Sequence, residues 1–168
     1  MFNDADRKKA ADLLDACRKK GLTLAIAESC TGGLIAALLT EIPGSSAVFE
    51  CGFVTYSNKS KTQSLGVDPD LIAINGAVSQ EVAAAMAQGA KERAGTSLAV
   101  SVTGVAGPDG GTAEKPVGTV CIAVAHGHTI VVETCHFSGN RSEIRTSSMR
   151  YALGMLSDSL KESAVSIA

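Results

Sequence analysis

Short apolar runs of strand length alternate with helix-length segments along this chain of 168 residues. Residues 22–27, 48–56 and 97–103 have the composition of buried strands, and helical patterns lie between them. Continuous apolar strands belong to sheets that are covered on both faces, and their alternation with helices is typical of parallel α/β sheets. This alternation limits the fold more than any other feature. We expect a single α/β domain over residues 1–168.

The C-terminal half predicts an antiparallel pair of strands. Residues 117–125 and 129–137 are strand-like, and His126-Gly127-His128 between them has hairpin spacing. The predicted order is helix, strand, helix, strand, two helices, three strands and a final helix. Residues 57–64 form a polar stretch after the second strand. The expected fold is therefore a three-layer α/β/α sandwich with a mixed sheet.

Three helices carry recognisable start signals or apolar faces. Asn3 and Ser79 are typical N-caps, and Asn140 with Glu143 resembles a capping box. The helix predicted over residues 80–94 has one apolar face, formed by Val82, Ala83, Met86, Ala87 and Ala90. The final helix is predicted to bury Ile144, Met149, Leu153, Leu156 and Leu160.

Composition argues against nucleic-acid and membrane partners. Lys and Arg number 15 against 17 Asp and Glu, so the formal net charge is −2. Nucleic-acid binding depends on neutralising phosphates, so direct binding is not expected. The longest apolar runs, such as residues 34–39 and 120–125, are far shorter than the roughly 20 residues of a membrane-spanning helix. Five cysteines without CxxC spacing and no secretory signal predict a cytoplasmic protein.

The first candidate site follows the strand at residues 22–27. Ser29, Cys30 and Thr31 lie at a helix start, and Gly32 and Gly33 allow close approach to the backbone. Ligands of α/β sheets bind at such turns, and N–H groups at a helix start can hold an anion or a developing oxyanion. An ordinary helix cap explains the same residues equally well. Ser29 and Cys30 are both candidate nucleophiles, and the residues alone leave this choice open.

The second candidate site, residues 56–61, combines a phenol with two lysines. Lysine can replace histidine as the general base of a serine hydrolase, provided that its pKa is lowered enough for the amine to be neutral. Lys61 would be that base, and Tyr56 would pass on the proton or hold the lysine. A solvated polar turn is the alternative explanation for this stretch.

The third candidate site, residues 103–119, contains a glycine-rich loop over residues 104–116. It matches neither the P-loop nor the dinucleotide-binding pattern, although its backbone N–H groups could bind a monophosphate. Arg141 and Arg145, one turn apart in the last helix, could form a phosphate fork. A flexible loop and two surface charges are the alternatives.

No metal site is predicted. His126 and His128 lie at the expected hairpin tip and His136 in the strand that follows, without a cluster of ligands at metal-binding spacing.

Five motifs resemble, in the same order, those of the C-terminal domain of the competence/damage-inducible protein CinA. They are AESCTGG at residues 27–33, PGSS at 43–46, GFVTYSN with its following lysines at 52–61, GAVS at 76–79 and TGVAGPDGGTAEKPVGTV at 103–120. The likeness extends over residues 13–160. Stand-alone members of that family are nicotinamide mononucleotide deamidases, which convert this pyridine nucleotide to nicotinate mononucleotide and ammonia. The resemblance implies no metal or organic cofactor, a mixed five- or six-stranded sheet, and a homodimer or higher homo-oligomer.

The resemblance also implies roles for individual residues. Ser29 corresponds to the family's nucleophile, Lys61 to its base and Tyr56 to its tyrosine. Backbone groups near Thr31 are then candidates for an oxyanion hole, and the glycine-rich loop with the two arginines for a phosphate site. The residues expected to bind substrate are Thr31, Gly32, Gly33, Thr103, Gly104, Gly107, Arg141 and Arg145.

The family pattern leaves two other functions open. Many members carry a separate N-terminal domain of pyrophosphatase type, for which this chain has no room, so that domain's activities are not transferred. One alternative is a Ser/Lys amidase that acts on another small amide. The other is a non-catalytic module that binds protein partners in a competence or DNA-damage pathway.

Overall fold

The strands form one mixed sheet with five members. In the computed structural model, which describes residues 2–162, the strands are β1 (Leu24–Glu28), β2 (Phe49–Val54), β3 (Leu98–Gly104), β4 (Thr119–His126) and β5 (Thr129–His136). They lie in the order β2-β1-β3-β4-β5. β1 is parallel to β2 and β3, whereas β3–β4 and β4–β5 are antiparallel. The predicted mixed sheet and hairpin are confirmed. Residue 1 and residues 163–168 of the predicted domain lie outside the described residues.

Helices cover both faces of this sheet. They are α1 (Asp4–Lys19), α2 (Leu34–Thr40), α3 (Asn58–Leu65), α4 (Pro69–Asn75), α5 (Gln80–Ala94) and α6 (Arg141–Glu162). The helices α1, α2 and α6 pack on one face, and α3, α4 and α5 pack on the other. The three-layer α/β/α sandwich is therefore confirmed. None of the helices in the described part of the chain is long and apolar enough to cross a membrane.

The predicted caps and apolar faces are present. Asn3 and Ser79 accept hydrogen bonds from the first turns of α1 and α5, and Asn140 and Glu143 form the capping box of α6. All five residues of the predicted α5 face are buried, as are all five of the α6 face.

The helices α1 and α6 are also joined by an ion pair. Arg150 Nε is 2.7 Å from Asp6 Oδ1, and Arg150 Nη2 is 3.0 Å from Asp6 Oδ2.

Sequence reasoning missed the helix in the polar stretch over residues 57–64. Three helices, not two, lie between β2 and β3, and the sequence predicted the position of only one of them, the helix over residues 80–94. Ser57 and Ser60 start α3 with a reciprocal capping box. The residues that α3 buries are Lys61 and Leu65, one turn apart. Because one of the two is a lysine, the segment shows no apolar stripe that would indicate a helix.

The two faces of the sheet carry side chains of different size. Towards α1, α2 and α6 the central strands present Leu24, Ile26, Leu98, Val100, Val102, Val120, Ile122 and Val124. Towards α5 they present Ala25, Ala27, Ala99, Cys121, Ala123 and Ala125. Small side chains let α5 approach closely, and Ser101 Oγ donates to the Ala83 carbonyl oxygen at 2.6 Å. A Cβ placed on Gly89 would lie 2.0 Å from the Leu65 carbonyl oxygen, so α3 touches α5 through backbone atoms.

The carboxyl ends of β1, β2 and β3 meet at one edge of the sheet, because these three strands are parallel. Thr55, just beyond β2, donates its N–H to the Glu28 carbonyl oxygen at 2.8 Å. Ser29, just beyond β1, donates its N–H to the Val102 carbonyl oxygen at 2.9 Å. The sheet thus holds the residues that follow β1 and β2 at this edge, next to the end of β3.

Candidate active site

Ser29 and Lys61 are in direct contact at this edge. Ser29 is the first residue after β1, and Lys61 projects from the first turns of α3. Lys61 Nζ is 2.9 Å from Ser29 Oγ and 2.8 Å from the Thr55 carbonyl oxygen. The lysine is 1% exposed and is among the largest fully buried side chains of the protein. The structure therefore brings together two of the three residues expected to be catalytic.

The surroundings of Lys61 favour its neutral form. Burial removes water from the ammonium group and lowers the pKa of Lys61 from its ordinary value of 10.5, while Cys30 acts in the opposite direction. Within the described residues the side chain forms no ion pair with a carboxylate. A neutral amine can donate one hydrogen to Thr55 and accept the hydroxyl hydrogen of Ser29. The pair is arranged as a nucleophile with its base.

The start of α2 is occupied by a carboxylate of the protein itself. Glu28, 1% exposed at the end of β1, accepts the N–H groups of Gly33 at 3.0 Å, Ile35 at 3.2 Å and Ala36 at 2.9 Å. Its negative charge compensates the positive end of the helix dipole. Gly33 has φ +94, a conformation that favours glycine, and this allows the chain to enter α2. The start of α2 is thus filled and does not offer these amides to a ligand.

The amides of the loop between β1 and α2 therefore differ in whether they already have a hydrogen-bond acceptor. Gly32 donates its N–H to the Ser29 carbonyl oxygen at 3.1 Å, and Gly33 donates to Glu28. The N–H groups of Cys30 and Thr31 donate to no oxygen atom of residues 2–162. Of the amides around residues 31–33 expected to form an oxyanion hole, those of Gly32 and Gly33 are engaged. That of Thr31 remains, joined by the amide of Cys30.

Arg145 holds the same loop from α6. Its Nε donates to the Cys30 carbonyl oxygen at 3.2 Å, and its Nη2 donates to the Thr31 carbonyl oxygen at 2.6 Å. The guanidinium expected to bind phosphate is thus directed at two backbone oxygens, and the side chain does not line the cavity beside Ser29.

Arg141 and Tyr56 lie at the mouth of a cavity that Ser29 and Lys61 also line. Arg141 donates from Nη2 to the Tyr56 hydroxyl and from Nη1 to the Gly107 carbonyl oxygen, both at 2.8 Å. Tyr56 is 62% exposed, and its hydroxyl forms no hydrogen bond with Ser29 or Lys61 in the described structure. The expected contact between the phenol and the lysine is therefore not made. The structure instead joins Tyr56 to an arginine and to the glycine-rich loop.

The cavity has a volume of about 210 Å³, and its lining includes Ser29, Cys30 and Lys61. Thr103 and Gly104, the last two residues of β3, also line it. Thr103 Oγ1 donates to the Ala77 carbonyl oxygen at 2.8 Å, so the hydroxyl is already committed. A Cβ on Gly104 would lie 2.7 Å from a Val120 methyl carbon, which explains why glycine occupies this position.

The Cys30 side chain belongs to the core. It is 5% exposed and packs with the residues beneath α1, α2 and α6. Burial raises the pKa of the Cys30 thiol to about 11, against a smaller lowering by its own backbone. A thiol in this state is a poor nucleophile at neutral pH. The structure thus favours Ser29 over Cys30 as the nucleophile.

His126 and His128 lie at the opposite end of the sheet, and His136, although it lies at the same end as the carboxyl end of β3, does not line the cavity beside Ser29. His126 ends β4, His128 is in the turn that follows, and His136 ends β5. No three His, Cys, Asp or Glu side chains between residues 2 and 162 are grouped so that they could hold a metal ion.

Comparison with known sequences places the chain in a family. The sequence profile of the CinA C-terminal domain matches residues 6–160. The chain belongs to this family. A CinA-like protein of Geobacter sp. (strain M21) is 57% identical over 152 residues, which are 90% of this chain and 37% of the relative. A CinA-like protein of Gemmatimonas aurantiaca is 47% identical over 156 residues, 93% of this chain and 36% of the relative. The chain thus spans little more than a third of these CinA relatives.

Solved structures of the CinA superfamily share the whole fold. The competence/damage inducible protein CihA from Agrobacterium tumefaciens superimposes with a TM-score of 0.92 at 44% identity, covering 96% of this chain and 98% of its own. A competence-damaged protein (CinA) superfamily protein from Escherichia coli has a TM-score of 0.88 at 33% identity, with 93% and 92% coverage.

Two features of this CinA domain site were not anticipated from the sequence. The first is the role of Glu28, whose signal was available as an acidic residue at the end of an apolar strand just before a helix. The second is the carbonyl contact of Arg145, which spacing along the chain does not reveal. The hydroxyls of Thr31 and Thr55, both buried, have no hydrogen-bond partner among the described residues.

Proposed function

We propose that this CinA-family domain is an amidohydrolase that converts nicotinamide mononucleotide to nicotinate mononucleotide and ammonia. The observation that carries the proposal is the 2.9 Å contact between Ser29 Oγ and a buried lysine amine that has no carboxylate partner among the described residues. Such a pair needs no metal or organic cofactor to cleave an amide. The substrate follows from the family resemblance, and the cavity supports it.

In the first half of the reaction, Ser29 Oγ attacks the carboxamide carbon while Lys61 accepts the hydroxyl proton. The negative charge moves to the carboxamide oxygen, and the amides of Cys30 and Thr31 are the donors available to stabilise it. When the carbon–nitrogen bond breaks, Lys61 returns the proton to the leaving nitrogen, which departs as ammonia. An ester between Ser29 and the nicotinoyl group remains.

In the second half, water attacks this ester. Lys61 takes a proton from the water and passes it to Ser29 Oγ as the ester bond breaks. The product is the carboxylate of nicotinate mononucleotide, so one amide and one water are converted to one carboxylate and one ammonium ion. Tyr56 forms no hydrogen bond with Lys61 in the described part of the chain, and in this proposal it acts with Arg141 on the bound nucleotide rather than on the proton.

The cavity agrees with a ring-sized reacting group. Sites for drug-sized ligands have volumes of about 300–1,000 Å³. A cavity of about 210 Å³ therefore holds the pyridine ring and its carboxamide, with the ribose phosphate at the mouth. Arg141 lies at that mouth and uses only two of its five N–H donors on Tyr56 and Gly107. We propose that its remaining donors, with the loop from Thr103 to Gly107, bind the phosphate. The enzyme would be a cytoplasmic homo-oligomer without direct contact to nucleic acid.

The test of this function is ammonia release from a panel of amides. The panel contains nicotinamide mononucleotide, nicotinamide riboside, nicotinamide and several aliphatic amides. We expect the mononucleotide to be hydrolysed and kcat/KM for the riboside to be at least 100-fold lower, because the riboside lacks the phosphate. Activity on an aliphatic amide alone would indicate a Ser/Lys amidase of other specificity. No hydrolysis of any amide would support the non-catalytic binding module.

The phosphate role of Arg141 gives a separate expectation. Arg141→Ala should raise KM for the mononucleotide about 10- to 100-fold with a much smaller change in kcat, because a hydrogen bond to a charged group contributes about 1.5–3 kcal/mol. KM for the riboside should hardly change. Steady-state kinetics on both substrates measure this difference. An equal loss of kcat/KM on both substrates would show that Arg141 does not bind the phosphate.

A further inference from the structure

We infer that Arg145 is a positioning residue that orients the oxyanion-binding amides of Cys30 and Thr31. The inference builds on the proposed function, and it gives Arg145 a role different from the phosphate contact that the sequence predicts. It depends on three observations: the two carbonyls that Arg145 holds, the amides that the loop leaves without acceptors, and the side of the sheet from which the arginine reaches them.

The carbonyl contacts determine where the amides point. A trans peptide directs its N–H opposite to its C=O. Arg145 binds the Cys30 carbonyl oxygen, so the N–H of the same peptide, which belongs to Thr31, points away from the arginine. The carbonyl of Ser29 is held by the Gly32 amide, so the N–H of Cys30 points away from Gly32. The first orientation is fixed from α6 by Arg145, and the second by a hydrogen bond within the turn itself. Arg145 also holds the Thr31 carbonyl oxygen, which belongs to the same peptide as the Gly32 amide.

Arg145 and the base lie on opposite sides of the loop. Arg145 comes from α6, which packs on the same face of the sheet as α2. Lys61 comes from α3, which packs on the other face. The Thr31 amide, directed away from α6, is thus directed towards the side from which Lys61 reaches Ser29. The residue directly after a nucleophile is also the usual source of an oxyanion donor at a strand-to-helix turn.

The loop is held at its other end by Glu28. This carboxylate takes the amides of Gly33, Ile35 and Ala36, so α2 cannot move away from β1 without losing three hydrogen bonds. Arg145 and Glu28 therefore act on different peptides of one loop, in which only the N–H groups of Cys30 and Thr31 lack an oxygen acceptor. Cys30 lines the cavity, and Thr31 lies buried directly behind it in the chain. A donor set that is oriented in advance stabilises developing charge without reorganisation during the reaction.

The experiment compares Arg145→Lys and Arg145→Gln with wild type and with Arg150→Lys. Arg150 lies on the same helix and also makes a two-point contact, but to Asp6 and away from the cavity. The first readout is the rate at which Ser29 reacts with a small fluorophosphonate, followed by intact mass. The phosphoryl oxygen of this probe needs the same amides as the amide substrate, whatever that substrate is. We expect at least tenfold slower labelling in both Arg145 variants and no change in Arg150→Lys.

The second readout separates positioning from phosphate binding. With nicotinamide mononucleotide, the Arg145 variants should lose about 100-fold in kcat while KM changes less than threefold, since removing one oxyanion donor lowers kcat by about 10²–10³. Thermal unfolding of all variants shows whether lost activity reflects lost stability alone. Arg150→Lys should lower Tm without slowing the reaction. Unchanged labelling, or a raised KM at wild-type kcat, would overturn the inference. If the wild-type protein is labelled but hydrolyses no amide, the proposed function is refuted. The labelling rates of the Arg145 variants and the wild-type protein would then still test the role of Arg145.

Discussion

Lys61→Arg is expected to be as inactive as Lys61→Ala, with kcat lowered by about 10²–10⁴, the usual contribution of a general base. Arginine keeps the positive charge and the hydrogen-bond donors but cannot accept the proton of Ser29. The comparison therefore separates a base from an electrostatic contact. Lys59 is the matched control, because it lies on the same helix and is exposed. Lys59→Ala should keep most of the activity. Wild-type kcat in Lys61→Arg would show that the base lies elsewhere.

The same lysine predicts how activity varies with pH. The reactive form is the neutral amine, and burial lowers the pKa of Lys61 from 10.5. Activity should therefore be low in acid, rise with a single ionisation as pH passes the lowered pKa, and level off at higher pH. The inflection should fall below 10.5. A profile of kcat/KM that falls with rising pH over this range would contradict a neutral lysine base.

The second large effect concerns the nucleophile. Ser29→Ala should lose about 10⁴-fold or more in kcat, because nucleophile and base act as a unit. Cys30→Ala should keep most of the activity, since the Cys30 thiol is buried in the core and its pKa is raised to about 11. Ammonia release measures both variants, and mass spectrometry of quenched reactions should find the nicotinoyl ester on Ser29. An active Ser29→Ala with an inactive Cys30→Ala would reverse the assignment.

The sequence predicted the structure correctly where a sequence pattern is compatible with only one arrangement of the chain. Parallel strands place their carboxyl ends at one edge, so Ser29 and Thr103 could be expected near each other before any coordinates. The apolar spacing of residues 80–94 predicted which side of α5 is buried. Both inferences need only the strand order along the chain and the periods of helix and strand.

The sequence was uninformative where polar residues have two equally common uses. Lysine in a polar stretch is mostly a surface residue. The burial of Lys61 depends on how α3 packs in the folded protein, where it closely contacts α5 at Gly89. Arg141 and Arg145 look alike along the chain, one turn apart on one helix. The difference between a cavity residue and a loop ligand depends on where α6 lies against the sheet, and that is a property of the packed structure.

The order of the elements along the chain has a consequence for how the protein is made. Ser29 and Lys61 are synthesised early, whereas β3, whose Val102 carbonyl oxygen binds the Ser29 amide, follows α5. Arg141 and Arg145 belong to α6, which leaves the ribosome after all five strands and closes onto α1 through Arg150 and Asp6. The proposed nucleophile and base are thus synthesised long before the arginines of α6 that act with them in the proposed reaction. That reaction therefore requires the last helix to dock before the site is complete.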